Sequence, residues 1–357
     1  MNTKPLIYDL SLQELIQLMH TWEEPSYRAR QIWQGLYQQY WESPNEFSNL
    51  SLNLREKLEQ YFSFSHLACV REVISVDGYT EKSLFRLNNK MAVEAVLMSY
   101  PPRRDNKSER HTLCISTQVG CAMGCVFCAT GQMGFRKNLT SGEIIEQVLH
   151  YSRHLSAINK RVTNIVYMGM GEPFHNYEET LKSIGRLNHS LGFNFGSRRF
   201  TISTVGLVPF IRRFSNETLQ VNLAISLHAA DNELRSSMLP VNDKYPLEQL
   251  IPACHDYVNK THRRITFEWA LIEDINDSKE EARKLIKLLD GMLCHVNIIP
   301  LNPTDGYSGS PTSGTRALVF QSELQRNNIA CTIRMRRGIE IQAGCGQLAT
   351  EEINRVK

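Results

Sequence analysis

Three cysteines lie close together in the segment CAMGCVFC: Cys121, Cys125 and Cys128. Thiolates at this spacing can converge on one inorganic centre, either an iron–sulfur cluster or a zinc ion. A structural zinc site normally takes four protein ligands in a closed tetrahedron, and no second CxxC follows, although His111 and Cys114 lie nearby. Three cysteines on a four-iron cluster leave one iron open to a small chelating molecule. The spacing therefore favours a cluster, with zinc as the alternative.

Glycine and polar residues follow several apolar segments that are predicted to be strands. In GMGEP, Gly169 and Gly171 permit close backbone approach to a ligand, and Glu172 adds a negative charge that could hold an ammonium group. An ordinary turn between a strand and a helix is the alternative. Other polar residues lie at comparable strand ends, where they could line a site or satisfy backbone groups: Ser203, Ser226, His228 and Asn302.

Two further cysteines could take part in thiol chemistry. Cys345 lies between Gly344 and Gly346 after the last predicted strand, so its segment could reach over a neighbouring site. Cys114 lies on the predicted strand TLCIST, seven residues before the cysteine cluster. The alternative is that Cys345 is an inert thiol of the chain end. The remaining cysteines fall in apolar patterns and are predicted to be buried: Cys69, Cys254, Cys294 and Cys331.

The elements that must position these residues alternate between apolar strands and helices. Six strand-then-helix units and a final strand, CTIRM, predict a parallel sheet covered by helices. Six units are fewer than the eight of a closed barrel, so an α/β fold with a partial (β/α)6 barrel is expected. Thr140 and Glu143 fit a capping box, which places the cysteine cluster in the loop after the first barrel strand.

Four regions are predicted along the chain. Residues 1–65 form a helical accessory domain that includes Ser11 as an N-cap, and 66–110 form a small β extension with a turn at Asp77 and Gly78. Residues 111–338 form the partial barrel, and 339–357 form a C-terminal loop carrying Cys345.

Composition and charge exclude several classes of protein. The 357 residues are 42% hydrophobic and 22% charged, which indicates a folded chain. Nine cysteines without an export signal or membrane segment indicate a cytoplasmic protein rather than a disulfide scaffold. The net charge of +3 is too small to indicate a nucleic-acid partner. Several local arginine groups lie in loops or at strand ends near the predicted barrel mouth, which would suit phosphate contacts. The groups are Arg103 and Arg104, Arg198 and Arg199, Arg212 and Arg213, Arg263 and Arg264, and Arg334, Arg336 and Arg337.

From about Val93 to Leu348 the chain resembles the RlmN/Cfr family of RNA adenine methyltransferases, within the radical S-adenosylmethionine (SAM) superfamily. The resemblance rests on VEAVLM, LCISTQVGCAMGCVFCATGQMGF, MGMGEP, STVGLVP, AISLHA, LPVND, IIPLNP and RGIEIQAGCGQL. The N-terminal helices resemble the family's RNA-binding accessory domain more loosely. Gly344 stands where alanine is commoner in the family and would loosen its loop.

The resemblance implies a role for each matching residue. Cys121, Cys125 and Cys128 would hold one four-iron, four-sulfur cluster. Cys345 would carry the methyl group, Cys114 would resolve a covalent RNA intermediate through a transient disulfide, and Glu94 would accept a proton. The implied SAM contacts are Gly171, Glu172, Ser203, Ser226, Leu227, His228 and Asn302.

The implied reaction explains this need for two cysteines and a radical. Adenine C2 is electron-poor and cannot attack the methyl group of SAM directly, so one SAM methylates Cys345 and a second supplies the radical, two per turnover. A target base must leave its stack to react. Pro173, after MGMGE, favours C2 over C8. The implied substrates are an adenosine in the peptidyl-transferase region of 23S rRNA and the adenosine 3′ to the tRNA anticodon.

The remaining implied properties are a monomer and an electron donor such as flavodoxin. Three alternatives remain open: a C8 methyltransferase of the antibiotic-resistance type, a non-catalytic zinc-dependent RNA-binding protein, and a radical enzyme that activates a partner protein.

Overall fold

The computed structural model describes residues 4–102, 109–334 and 336–349. Three helices come first in the chain: α1 (Leu12–Thr21), α2 (Tyr27–Tyr37) and α3 (Leu52–Tyr61). A capping box begins α1, because the Ser11 side chain accepts the Glu14 amide and the Glu14 carboxylate accepts the Ser11 amide. The predicted N-cap is therefore confirmed.

Short strands follow, and most of them join one sheet. The strands of the described residues are β1 (Leu67–Ile74), β2 (Thr80–Leu87), β3 (Ala92–Tyr100), β4 (Arg110–Cys114), β5 (Gln118–Val119), β6 (Lys137–Asn138), β7 (Asn164–Tyr167), β8 (Phe200–Thr204), β9 (Asn222–Ser226), β10 (Ile265–Leu271), β11 (Cys294–Pro300) and β12 (Cys331–Ile333). Ten of them form a sheet in the order β1-β2-β3-β4-β7-β8-β9-β10-β11-β12, and β5 pairs with β6.

The direction of the strands changes at β4. Strands β1 to β4 are antiparallel neighbours, whereas β4, β7 and every later neighbour in the sheet are parallel. The β extension is thus continuous with the barrel sheet rather than separate from it. Gly78, at φ +71°, lies in the predicted turn between β1 and β2.

Helices follow the parallel strands and bury them. They are α4 (Ala129–Gln132), α5 (Ser141–Ala157), α6 (Tyr177–Asn188), α7 (Val208–Phe214), α8 (Asn232–Met238), α9 (Leu247–Thr261), α10 (Lys279–Leu288) and α11 (Gly314–Arg326). Thr140 and Glu143 form the predicted capping box of α5. One hydrophobic cluster runs from the N-terminal helices through the strands. The predicted partial barrel is confirmed.

The N-terminal helices are fastened to the start of α5. Asp9 Oδ1 accepts the Gly142 amide at 2.7 Å, and Arg186 donates to the carbonyl oxygens of Tyr8, at 3.1 Å, and Asp9, at 2.5 Å. A side chain at Gly142 would meet Leu6 Cδ2 at 2.7 Å. These contacts hold the helical module against the barrel.

Glu146 joins α5 to the start of β1, and its ionisation is expected to make stability depend on pH. Its two carboxylate oxygens accept the His66 amide at 3.0 and 3.1 Å, and burial raises the pKa of Glu146 from 4.5 to about 8. The folded chain then holds this proton more tightly than the unfolded chain. The stability from this group is complete below pH 4.5 and is lost as the pH rises through about 8.

The variant Glu146→Gln keeps one acceptor oxygen but cannot ionise. We expect its melting temperature, relative to that of the wild type, to rise between about pH 5 and about pH 8. Thermal unfolding followed by circular dichroism at both values checks this. A difference between the two proteins that does not change with pH would contradict the assignment.

The cysteines outside the cluster differ in exposure. Cys254, Cys294 and Cys331 are buried as predicted, but Cys69 is exposed, so the prediction for Cys69 is wrong. Cys69 lies beside the only register shift recorded between β1 and β2, and the extension is a peripheral part of the sheet rather than its core. Within the described ranges, no helix combines the length and apolar character needed to cross a membrane.

Candidate functional site

The cluster cysteines lie on the loop that follows β4. Gly120 has φ +70°, and a Cβ there would lie 1.8 Å from the Gly134 carbonyl oxygen, so only glycine fits this turn. The same carbonyl accepts the Cys121 amide at 3.2 Å. Cys121 and Cys125 are buried and Cys128 is half-buried.

The three thiols suit a multi-iron cluster better than one zinc ion. Burial raises the pKa of Cys121 to about 12 and that of Cys125 well above its usual value, and the charges of neighbouring thiolates raise both further. A bound cation would offset this cost. Among the described residues, these sulfurs do not form a set that lies entirely within 4.8 Å. Ligands of one tetrahedral zinc ion, with Zn–S bonds of about 2.3 Å, would be roughly 3.8 Å apart.

A cavity of about 230 Å³ lies at the carboxyl ends of the parallel strands. Most of the predicted site residues line it: Cys114, Cys121, Cys125, Cys128, Gly171, Glu172, Ser203, Ser226, His228, Asn302 and Cys345. Leu227 and Glu94 are not among the lining residues that the structure describes. The Leu227 side chain is fully buried in the hydrophobic core.

Glu172 is held rigidly at the cavity wall. Its carboxylate accepts the Phe174 and Val205 amides, each at 2.9 Å, while its own amide donates to Gln118 Oε1 at 2.8 Å. Burial raises the pKa of Glu172 to about 7. Gly171, at φ +100°, lets the chain pass close to Gln118. A cationic group in the cavity would favour the ionised carboxylate.

His228 is a neutral, fixed imidazole that also lines the cavity. Its Nδ1 accepts the Ala270 amide at 2.9 Å, and burial lowers the pKa of His228 to about 3. Its backbone has φ +61°, and its carbonyl accepts Asn276 Nδ2 at 2.8 Å. The ring packs against Phe127 of the cluster loop with 5.0 Å between ring centroids. Neutral His228 can offer a hydrogen bond without adding charge.

The segment that carries Cys345 is docked on the cluster loop. Ala129, the residue after Cys128, donates its amide to the Gly346 carbonyl at 2.8 Å, and Thr130 Oγ1 donates to the Leu348 carbonyl at 2.6 Å. Asn302 Nδ2 donates to the Cys345 carbonyl at 3.0 Å. These bonds keep Cys345 beside the cluster cysteines.

Cys114 and Cys345 reach the same cavity from different parts of the chain. Both are free thiols, Cys114 half-buried and Cys345 exposed to the cavity. Burial raises the pKa of Cys114 to about 12, with a further rise from the charge of Cys345, and burial raises the pKa of Cys345 to about 11. Both are therefore thiols at neutral pH, and Cys345 lies close enough to influence the ionisation of Cys114.

Glu94 lies beneath the C-terminal segment rather than on the cavity wall. It is 4% exposed, its Oε1 forms an ion pair with Lys82 Nζ at 2.9 Å, and its Oε2 accepts the Ala349 amide at 3.0 Å. Leu348, the neighbour of Ala349, does line the cavity. The predicted proton-accepting role of Glu94 stays a prediction, and it would require this segment to shift.

Two buried charged residues near the carboxyl ends of the strands were missed by the sequence analysis. Arg235 is fully buried and donates to the Val205 carbonyl at 2.7 Å and to the Leu227 carbonyl at 3.2 Å, which ties two strand ends together. Glu268 lines the cavity, and its Oε2 is buried without a hydrogen-bond partner in the described structure. Arg235 lies a few residues after AISLHA in the sequence, but only the fold reveals that its side chain is buried.

The arginine groups divide between the two ends of the barrel. Arg334, Arg336 and Arg337 line the cavity. Arg198 and Arg199 precede β8, Arg263 and Arg264 precede β10, and Arg212 and Arg213 lie in the last turn of α7 before β9. The amino ends of parallel strands lie opposite the cavity, so these three pairs do not lie at the mouth, where several of the arginine groups were expected. Arg103 and Arg104 lie outside the described residues.

Gly344 tightens the Cys345 segment rather than loosening it. A Cβ there would lie 2.6 Å from Gln347 Oε1 and 2.8 Å from Asn302 Nδ2. Glycine therefore leaves room for both side chains to form hydrogen bonds with the backbone of this loop. We expect Gly344→Ala to displace the Asn302 side chain and break its hydrogen bond to the Cys345 carbonyl. The loss of that bond should lower the free energy of unfolding by about 1 kcal/mol. The loosened segment should make Cys345 react faster with iodoacetamide. Peptide mass spectrometry measures that rate, and an unchanged rate would contradict the clamp.

Comparison with known proteins agrees with this fold and site. Residues 115–286 match the Radical SAM superfamily, and residues 6–63 match the ribosomal RNA large subunit methyltransferase N-terminal domain. A radical SAM methyltransferase of Sphaerobacter thermophilus superposes with a TM-score of 0.93 at 47% identity, covering 96% of this chain and 99% of that one.

Two curated relatives are similar over nearly their whole length. The probable dual-specificity RNA methyltransferase RlmN of Chloroflexus aurantiacus is 45% identical, covering 96% of this chain and 92% of the relative. The dual-specificity RNA methyltransferase RlmN 1 of Myxococcus xanthus is 44% identical, covering 97% and 95%.

The barrel and its cysteine loop define a radical SAM enzyme, a class that uses a four-iron, four-sulfur cluster and SAM. The N-terminal match and the full-length relatives then identify the particular family. The chain belongs to the RlmN family of radical SAM RNA methyltransferases.

Proposed function

We propose that this enzyme methylates C2 of adenosine in the peptidyl-transferase region of 23S rRNA and in tRNA, 3′ to the anticodon. The observation that carries the proposal is that Cys114 and Cys345, distant in sequence, line one cavity with the cluster cysteines. Neither thiol would be needed by a zinc-dependent RNA-binding protein. The relatives in Chloroflexus aurantiacus and Myxococcus xanthus are named as dual-specificity RNA methyltransferases, which supports two RNA substrates.

The chain's residues would first position the methyl carrier. Cys121, Cys125 and Cys128 would hold the cluster, and Glu172 would bind the amino group of SAM. When bound, the cluster and SAM would supply a methyl group and one-electron radical chemistry, with two SAM molecules used per turnover. Cys345 must lose its proton to accept the methyl group, since the thiolate is the nucleophile.

Two residues would then complete the transfer to RNA. Once the S-linked carbon has joined C2, the resulting ring radical would give up its odd electron to the oxidised cluster, and Glu94 would accept the ring proton after the Ala349 amide has released its carboxylate. The Cys114 thiolate would attack Cys345 Sγ, forming the S–S bond while the S–C bond breaks. The electron pair of the S–C bond passes to the carbon, which takes a proton to become the methyl group.

The proposal also covers the RNA contacts, the reductants and the oligomeric state of the enzyme. Arg334, Arg336 and Arg337 at the cavity would contact RNA phosphates while the target base lies inside. A two-electron reductant must restore the Cys114 and Cys345 thiols, and a cytoplasmic donor such as flavodoxin would reduce the cluster. We propose that the enzyme acts as a monomer. Pro173 supports C2 rather than C8 as the target.

The test uses anaerobically reconstituted protein, SAM, a reductant and unmodified 23S rRNA or tRNA. Digestion of the RNA to nucleosides and mass spectrometry should detect 2-methyladenosine from both. Formation of 8-methyladenosine would contradict the choice of C2. A colourless protein that holds zinc in place of iron and leaves RNA unmethylated would contradict the whole proposal.

A further inference from the structure

Four side chains outside the cavity bring metal-ligand atoms together between the β1–β2 hairpin and α5. Glu72 lies on β1, Glu81 on β2, and His150 and His154 on α5. One ligand atom from each lies within 4.8 Å of the others, and no other such set occurs among the described residues. The segment HYSRH already shows the His-x3-His spacing in the sequence.

The fold places all four side chains on facing surfaces. Glu72 pairs with Ser83 across the hairpin, and Glu81 lies two residues before Ser83, so both glutamates lie on the Ser83 face of the sheet. His150 and His154 are four residues apart and share one face of α5. Tyr151 on that helix donates to Ser83 Oγ at 2.8 Å, which fixes the helix over the hairpin.

The distances match those that one ion requires. His150 Nε2 lies 3.0 Å from Glu72 Oε1, and His154 Nδ1 lies 3.9 Å from Glu72 Oε1 and 3.7 Å from Glu81 Oε1. Ligands of a tetrahedral zinc ion at about 2.0–2.1 Å are roughly 3.3 Å apart. We propose that Glu72, Glu81, His150 and His154 form a zinc site that joins the β extension to the barrel helix α5.

The charges of the group also favour a cation. Glu81 Oε1 is shielded from solvent and has no hydrogen-bond partner in the described structure. Two crowded carboxylates beside two imidazoles are a ligand set for a divalent ion, and zinc suits nitrogen and oxygen donors.

The four proposed ligands are partly exposed, so an ion can reach them from solvent. Their position between the sheet edge and α5 gives the ion a structural role. The side chains of Glu72 and His154 are 41% and 46% exposed, whereas those of Glu81 and His150 are 23% and 18% exposed. The bound ion would add a link between the sheet edge and α5 that is independent of the cavity. The proposal therefore does not depend on methyl transfer.

The experiment uses the holoenzyme, in which iron occupies the cluster cysteines. Zinc titration followed by calorimetry, and cobalt titration followed by the visible absorption of tetrahedral Co²⁺, compare the wild type with His154→Ala and Glu72→Gln. Both substituted side chains are substantially exposed, so the variants should fold. His20→Ala, an exposed histidine on α1, is the matched control.

The wild type and His20→Ala should each bind one equivalent of zinc that raises the melting temperature. His154→Ala and Glu72→Gln should weaken this binding by more than the roughly 10–100-fold that follows loss of an outer-shell partner, and should lose the tetrahedral cobalt spectrum. The proposal is overturned if the wild type takes up no such equivalent. It is equally overturned if both site variants bind zinc as tightly as His20→Ala.

Discussion

Replacing Cys345 with alanine should reduce RNA methylation to the level of a protein-free control. In the proposed reaction the methyl carbon reaches RNA only through Cys345 Sγ, so no other side chain can carry it. The cluster cysteines are unchanged in this variant. Because Cys345 is exposed to the cavity rather than packed in the core, its truncation should alter stability by only about 0.5 kcal/mol.

The measurement separates loss of methyl transfer from loss of the cofactors. The variant should retain the iron content and visible absorption of the wild type, while mass spectrometry finds no methylated adenosine. The matched control is Cys294→Ala, because Cys294 begins β11 at the end of the sheet opposite the cavity. Methylation by Cys345→Ala at a rate near that of Cys294→Ala would refute the assignment.

The barrel could be predicted from sequence because each element carries its own local signal. Continuous apolar runs indicate parallel strands, and the capping residues Thr140 and Glu143 locate the start of α5. The cysteine spacing likewise indicates the cluster loop, since its three ligands are near neighbours in the chain. The division into four regions stays a prediction, although family matches fall within the first and third.

Long-range packing determines what the sequence analysis missed. Cys69 lies in an apolar pattern yet is exposed, because β1 belongs to the peripheral extension of the sheet. Arg235 occupies a polar segment yet is fully buried, because carbonyl oxygens at the ends of two strands, β8 and β9, converge on its guanidinium. Neither outcome depends on nearby sequence. The zinc site is a similar case, because HYSRH gains its glutamate partners only when the hairpin packs against α5.

In the proposed reaction, the docked C-terminal segment would allow one thiol, that of Cys345, to serve several steps. Its bonds to Ala129 and Thr130 attach it to the residues directly after Cys128, and the bond from Asn302 attaches it to the segment that follows β11. The same segment covers Glu94 through Ala349. Movement of the segment when RNA binds would therefore couple the position of Cys345 to the release of the Glu94 carboxylate.

Replacing Cys114 with alanine should stop turnover at a covalent complex of RNA and protein. Without the Cys114 thiolate, nothing attacks Cys345 Sγ, so the S–C bond to the adenine-linked carbon persists. A band with the combined mass of protein and tRNA should accumulate on denaturing gels, and little free methylated RNA should form. The wild type should not accumulate this band, since it can form the disulfide.

A double variant distinguishes this trapped intermediate from nonspecific crosslinking. Cys114→Ala combined with Cys345→Ala lacks the attachment point and should give no covalent band, although it retains the cluster ligands. Nuclease digestion of the single-variant complex should leave an adenosine-derived mass on the peptide that contains Cys345. Normal turnover by Cys114→Ala, or a covalent band that persists in the double variant, would mean that these two thiols do not act on one intermediate. Since both line a single cavity at the carboxyl ends of the strands, we expect the band to require Cys345.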